Sequence, residues 1–195
     1  MLIGITGQIG AGKTTAARIL ADLGAKIVDA DRIGHEVVRR NPRLLKRLAA
    51  RFGSSIVDEQ GRLKRKKLAE LAFASSESKA ALDRLVHPFL LKELRVQVKS
   101  AGKRHHVVII DAALLLDWNF DREVDYVLVV HASRETRLAR LAGRSVSRRD
   151  ASARERTQLP YREYQRRADR VILNNRTPAD LRRKLRTLYH DLMSD

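Results

Sequence analysis

Eight residues, Gly7-Gln8-Ile9-Gly10-Ala11-Gly12-Lys13-Thr14, match G-x-x-x-x-G-K-[ST] in full. Before them, Leu2-Ile3-Gly4-Ile5-Thr6 is a short apolar run that reads as a buried strand. After them, Ala16, Ile19, Leu20 and Leu23 fall on one helical face. Strand, glycine loop and helix in that order present backbone N–H groups and a helix N-terminus to phosphate oxygens. Gly7, Gly10 and Gly12 reach backbone angles closed to other residues and keep Cβ atoms out of a phosphate's way. Lys13 brings a mobile positive charge to β- and γ-phosphates, and the Thr14 hydroxyl is a ligand for Mg²⁺. Gly10, Ala11, Gly12, Lys13, Thr14 and Thr15 are therefore the expected contacts of a nucleoside triphosphate.

The rest of the chain alternates strands and helices. Ala25–Asp31 reads as a second strand ending in two acids, followed by a short helix carrying Ile33, Val37 and Val38. From Asn41 the pattern turns helical. Leu44, Leu45, Leu48, Ala49 and Phe52 share a face closed by Gly53, and Asp58-Glu59-Gln60-Gly61 reads as a turn. Leu63, Leu68, Leu71, Ala72 and Phe73 predict a further helix. Ser76 to about Ala101 follows, with Pro88 expected to kink it or open a fresh turn. Val107–Asp111 is an unbroken β-branched run ending in an acid, as suits a central parallel strand. Asp125–Val130 is the fourth strand, with a helix after it from Ser133 to about Ala142. Arg170–Asn174 is the fifth strand, and Pro178–Met193 a closing amphipathic helix.

This pattern predicts one α/β domain over 1–195, a P-loop NTPase fold with a doubly wound, five-stranded parallel sheet. Its core is expected at 1–40, 103–142 and 168–195. Residues 41–102 read as a helical insertion, and 143–167 as an arginine-rich lid.

The 195 residues carry a net charge of +17, with basic runs at 62–67 and from 134 to 186. Such a charge points to polyanions, either nucleic acid or phosphorylated metabolites. Aromatic residues do not interleave with the bases, so a stacking platform for single strands is poorly supported. No apolar run approaches membrane-spanning length. With no cysteine in the chain and no basic-then-apolar leader, a cytoplasmic location is expected.

Parallel α/β sheets bind ligands at the carboxyl ends of their strands. Asp111 falls at such an end and suits a second, acidic partner for Mg²⁺ beside Thr14. Asp29-Ala30-Asp31 offers two acids, either of which could take the proton of an attacking hydroxyl; Asp31 equally fits a helix N-cap. Mobile arginines closing over a transferred phosphoryl group would stabilise its charge and exclude water, with Arg140, Arg144, Arg148, Arg149 and Arg154 as candidates. His35 and His87 are lone histidines.

Taken together, these residues resemble the dephospho-coenzyme A kinase family over almost the whole chain. Ile3–Thr15 resembles that family's G-[IL]-T-G-x-I-G-x-G-K-[ST]-T. Leu23–Ile33 is similar to its strand-two signature, where the second acid of D-A-D is the base; this falls on Asp31. His87-Pro88 matches its H-P pair, on the helical insertion that holds the acceptor in that family, which makes 41–102 the expected acceptor-binding part. Ala168–Asn175 resembles its A-D-x-V-I-x-N near the adenine of ATP. The resemblance implies transfer of the ATP γ-phosphate to the ribose 3′-hydroxyl of dephospho-CoA with Mg²⁺. Asp31, Lys13, Arg140 and Arg144 become the expected catalytic residues. Asn175 joins the nucleotide contacts, Asp31, His35 and His87 the acceptor contacts, and Thr14 with Asp111 the metal ligands. No nucleic-acid or membrane partner is implied, and a monomer is expected with an oligomer left open.

The chain departs from the family pattern after its third strand, where Ala113-Leu114-Leu115-Leu116-Asp117-Trp118 replaces P-L-L-[FY]-E. It departs again where Tyr164 stands beyond Gln158 in place of a common lysine. The rival readings are a nucleoside-monophosphate kinase, whose acceptor-gripping G-[FY]-P-R stretch is missing after Asp111, and a nucleic-acid-binding P-loop ATPase.

Overall fold

Five short strands, apolar along most of their length, build a single parallel sheet. They are β1 (Leu2–Thr6), β2 (Lys26–Asp29), β3 (Val108–Asp111), β4 (Tyr126–His131) and β5 (Arg170–Leu173), in the order β2-β3-β1-β4-β5. The structure is a computed structural model that describes residues 1–143, 151 and 155–194. The helices are α1 (Lys13–Asp22), α2 (Ala30–Arg40), α3 (Pro42–Phe52), α4 (Arg65–Ala72), α5 (Ser76–Gly102), α6 (Arg134–Ala142), α7 (Tyr161–Arg166) and α8 (Pro178–Ser194). The expected α/β class and five-stranded parallel sheet are both present.

The chain divides into two compact units, one of Met1–Asp29 with Val98–Asp195 and one of Ala30–Gln97. In the first, Ile3, Ile5, Ile109, Leu128, Val130 and Ile172 line one sheet face. Against them pack Ala16, Ile19 and Leu20 of α1 and Leu181, Leu185 and Leu188 of α8. Burying each such branched side chain contributes about 1.5–3 kcal/mol. This face sets up the site. Asp111 stands in register with Asp29 and with Ile5, so both acids point to the side of the sheet that α1 covers. The connections from β1 and β3 leave in opposite directions, and ligands bind at such a switch point.

The second unit has its own core, formed by Val38, Leu44, Leu48, Phe52, Ile56, Leu68, Ala72 and Ala81. Asn41 caps α3 by accepting the Leu44 N–H at 3.0 Å, with Pro42 in the first turn. One expectation is corrected here. Leu63 does not join a helix: it forms an antiparallel bridge with Val57, and α4 starts only at Arg65. The cause is Asp58, whose carboxylate accepts the backbone N–H groups of Gln60 (3.0 Å) and Arg62 (2.7 Å) and closes a tight turn at Gly61. Those bonds also hold the Asp58 carboxyl below its usual range, led by the Arg62 N–H and opposed by desolvation. Pro88 opens no new helix but lies inside the unbroken α5, leaving the Arg84 carbonyl without its usual i+4 donor.

Among the described residues no helix is long and apolar enough to cross a membrane.

Candidate active site

The loop between β1 and α1 is shaped by its glycines. Gly10 lies at φ +78° and Gly12 at φ +103°, both in the left-handed region. A Cβ on Gly12 would stand 2.4 Å from the Asn174 side chain, and one on Gly10 would stand 2.8 Å from the Arg137 carbonyl. The loop is thus wedged against its neighbours, and side chains hold it from outside. Asn174 donates to the Ala11 carbonyl at 2.9 Å, and Arg140 reaches both that carbonyl and the Asn174 Oδ1 at 3.4 Å. The Ile9 carbonyl accepts from Arg137 at 3.4 Å. In a trans peptide the N–H points opposite to the C=O. Holding the carbonyls of Ile9 and Ala11 therefore aims the N–H groups of Gly10 and Gly12 the other way, as a nest for anionic oxygens requires.

Lys13 starts α1, and its Nζ donates to the Gly7 carbonyl at 3.0 Å, arching back across the loop. The Thr14 hydroxyl donates to Asp111 Oδ2 at 2.9 Å, so the two expected metal ligands meet. Their donors are a hydroxyl and a carboxylate, hard oxygens of the kind Mg²⁺ selects. No group of three or more His, Cys, Asp or Glu residues able to hold a metal occurs among the described residues. Mg²⁺ is ordinarily held by one or two protein oxygens with substrate phosphates completing the shell, so this donor set fits it. A cleft of about 560 Å³ opens over the loop, walled by Gly10, Gly12, Lys13, Thr14, Thr15, Arg140, Asn174, Pro178 and Leu181.

The second unit carries three further candidates. Asp31 is exposed in the first turn of α2, one residue inside the helix and not at its cap. His35 is exposed one turn later on the same helical face. On α5, His87 Nε2 lies 3.1 Å from Asp83, which also receives Lys79 at 3.0 Å. Desolvation opposes the Asp83 charge, but the hydrogen bonds from His87 and Lys79 outweigh it and keep that carboxyl below its ordinary range.

Around the loop lie residues with no counterpart among the sequence candidates. Arg137, 4% exposed, pairs with Glu155 at 2.7 Å and donates to the Ala132 carbonyl at 3.2 Å. Glu155 also receives Arg134 at 3.1 Å. Burial works against its charge, yet the bonds from the two arginines prevail and hold its carboxyl low. Gln158 Oε1 accepts the Ile9 N–H at 2.8 Å. His131, stacked on Tyr161 with ring centroids 3.8 Å apart, has its imidazole pushed below the usual range by burial and then by the Arg137 charge. The one sequence trace of Arg137's burial is its i,i+4 spacing to Leu141, the other inward residue of α6.

Asn174 and Asn175 divide their work. Asn174 is buried against the phosphate loop, whereas the Asn175 Oδ1 accepts the Ser133 N–H at 2.7 Å, where α6 begins. Arg144, Arg148, Arg149 and Arg154 lie outside the described residues. The atypical loop after β3 is held by Arg167. This residue donates to the Leu116 carbonyl at 2.8 Å and to Asn119 Oδ1 at 3.1 Å, and forms an ion pair with Asp121.

Tyr164, 1% exposed, has no hydrogen-bond partner for its hydroxyl among the described residues. Burial, and then the Asp117 charge, push the phenol up to about 12, against a smaller opposing effect of Arg137. The fold therefore favours the neutral phenol. The stability linked to it is complete below pH 10 and is lost as pH rises through about 12. Tyr164→Phe should cost less than about 1 kcal/mol at neutral pH, because no bond is lost. In urea unfolding, its stability relative to the parent should rise between pH 10 and 12. A larger loss at pH 7.5 would show that the hydroxyl has a stabilising partner.

A family model described as "Dephospho-CoA kinase" matches residues 1–180. A dephospho-CoA kinase of Chlorobaculum tepidum is 34% identical over 201 residues, covering 100% of this chain and 96% of that protein. A crystal structure from Thermus thermophilus is 33% identical, with a TM-score of 0.83 and coverage of 98% and 97% of the two chains. The dephospho-CoA kinase of Campylobacter jejuni is 25% identical at a TM-score of 0.74, covering 98% and 96%.

Proposed function

The chain belongs to the dephospho-CoA kinase family, and from that premise we propose how its residues share the reaction. It is an ATP-dependent kinase of dephospho-CoA, passing the γ-phosphoryl group to the ribose 3′-hydroxyl to give CoA and ADP. The contact between Thr14 and Asp111 carries the reading most directly, since a loop threonine and a strand-end aspartate together are the metal-holding pair of P-loop phosphoryl transfer. These two residues would hold Mg²⁺, which when bound would draw off charge developing on the β- and γ-phosphate oxygens.

The phosphate chain rests in the nest of Gly10–Thr15, with the adenosine end toward Asn174, Asn175 and Pro178. Lys13 and Arg140 meet the transferred phosphoryl group. Charge on its oxygens rises toward the transition state, where fixed cations count for more than in the ground state. Asp31 accepts the proton of the attacking hydroxyl. The unit of Ala30–Gln97 takes the acceptor, with Asp31, His35 and His87 as its contacts. A cytoplasmic location and a single-chain working unit fit this assignment.

The test is ATP consumption measured with dephospho-CoA, with AMP or CMP, and with duplex DNA or RNA. Turnover should require dephospho-CoA, and its 3′-phosphorylated product should appear in step with ADP. Turnover with a nucleoside monophosphate in its place, or stimulation by nucleic acid alone, would overturn the assignment.

A further inference from the structure

We propose that Gln158 is a positioning residue for phosphoryl transfer, acting through Ile9 of the phosphate loop and oriented by the Glu155–Arg137 ion pair. This rests on the kinase reading above.

The two peptide planes that meet at Ile9 are each held from outside the loop. On one, the Ile9 N–H donates to Gln158 Oε1 at 2.8 Å; on the other, the Ile9 carbonyl accepts from Arg137 at 3.4 Å. These partners are in turn tied together. Arg137 pairs with the Glu155 carboxylate at 2.7 Å, and the Gln158 backbone N–H donates to the Glu155 carbonyl at 3.2 Å. The result is a closed circuit, Ile9 to Gln158 to Glu155 to Arg137 and back to Ile9. Pinning both planes fixes φ and ψ of Ile9, the residue that delivers the chain into Gly10 at φ +78°.

Two chemical consequences follow for the loop. The Ile9 N–H is committed to Gln158, so it is removed from the set of amides that meet phosphate oxygens. The Gly10 N–H shares a peptide plane with the Ile9 carbonyl, and so its direction is set by Arg137. Glycine-flanked peptides flip at low cost. Without the circuit, the plane before Gly10 has no side chain to choose its orientation. Gln158 thus holds the γ-phosphate end of the nest in its working geometry without touching the nucleotide. Misplacing a reacting group by about 1 Å costs on the order of a hundredfold in rate.

The experiment compares the wild-type enzyme with Gln158→Met and Gln158→Glu in steady-state turnover of ATP and dephospho-CoA. Methionine keeps the length and volume of glutamine without a strong acceptor, and glutamate restores an acceptor oxygen. The expected result for Gln158→Met is a fall of about tenfold or more in kcat/KM for ATP. Its KM for dephospho-CoA at saturating ATP should change less than about twofold. Gln158→Glu should recover most of the loss. ATP parameters within about twofold of wild type in Gln158→Met would overturn the proposal, as would equal impairment of the Met and Glu variants. Parallel rises in both KM values with a lowered Tm would also overturn it, because they mark general damage. If Gln158→Met fails to fold, Glu155→Gln gives the second reading by titration with a non-hydrolysable β,γ-imido analogue of ATP. Affinity lowered several-fold supports the circuit and unchanged affinity sinks it. The wild-type arm tests the kinase reading separately, since a wild type inactive on dephospho-CoA removes that reading whatever the variants do.

Discussion

Asp31→Asn is expected to lower kcat by about a hundredfold or more while leaving ATP affinity within about threefold of the parent, the usual scale for loss of a general base. The amide keeps the shape of the side chain but cannot take the proton of the attacking hydroxyl. The fold should tolerate it, because Asp31 is exposed in the first turn of α2, where a carboxylate complements the helix N-terminus by about 0.3–1 kcal/mol. Single-turnover kinetics with prebound ATP isolate the chemical step, and ADP titration reports the donor site. A rate within about tenfold of wild type would return Asp31 to the role of a residue that merely complements the N-terminus of α2.

Lys13→Ala is expected to lower kcat/KM for ATP by about a hundred- to a thousandfold, the loss seen when one preorganised donor to a developing anion is removed. Two effects combine. The ammonium would no longer meet the γ-phosphoryl oxygens, and the bond to the Gly7 carbonyl, 3.0 Å long, would no longer brace the loop across its mouth. Lys13→Arg should recover little, since the guanidinium is a planar fork that cannot follow the path of a compact ammonium over the loop. Restoration of more than a tenth of wild-type activity by arginine would show that charge alone suffices at this position.

Lys13 was legible as part of the phosphate loop because that loop is a local pattern, whereas the choice of Asp31 over Asp29 rested on the family resemblance alone. G-x-x-x-x-G-K-[ST] encodes a shape in consecutive backbone angles, and β-branched runs such as Val107–Ile110 announce buried strands without reference to anything distant. Asp111 was legible for the same reason, as an acid at the end of such a run. The residues that brace the loop were not. Gln158 meets a backbone amide 149 residues away, and Arg137 meets a carbonyl 128 residues away. A side chain that recognises a backbone group leaves no pattern in the partner's identity. Arg137 is one among 40 lysines and arginines, most of them solvated, and only folding distinguishes it. The pairing of Asn174 with the Ala11 carbonyl was hidden in the same way beneath a motif that displays two asparagines side by side. Leu63 went astray because one carboxylate, that of Asp58, collects enough backbone donors to turn the chain before a helix can start.

The hold of Arg167 on the loop after β3 bears on how this chain can change. Leu116, Asn119 and Asp121 take their places from a guanidinium about fifty residues downstream, which binds one of them through its backbone carbonyl. A carbonyl is the same whatever side chain it carries. The segment Ala113–Trp118 can therefore drift from its relatives' pattern while its path is kept, as long as position 167 remains arginine. Tolerance in that stretch is lent by a single distant residue, and drift should be cheap at the loop and costly at its clasp.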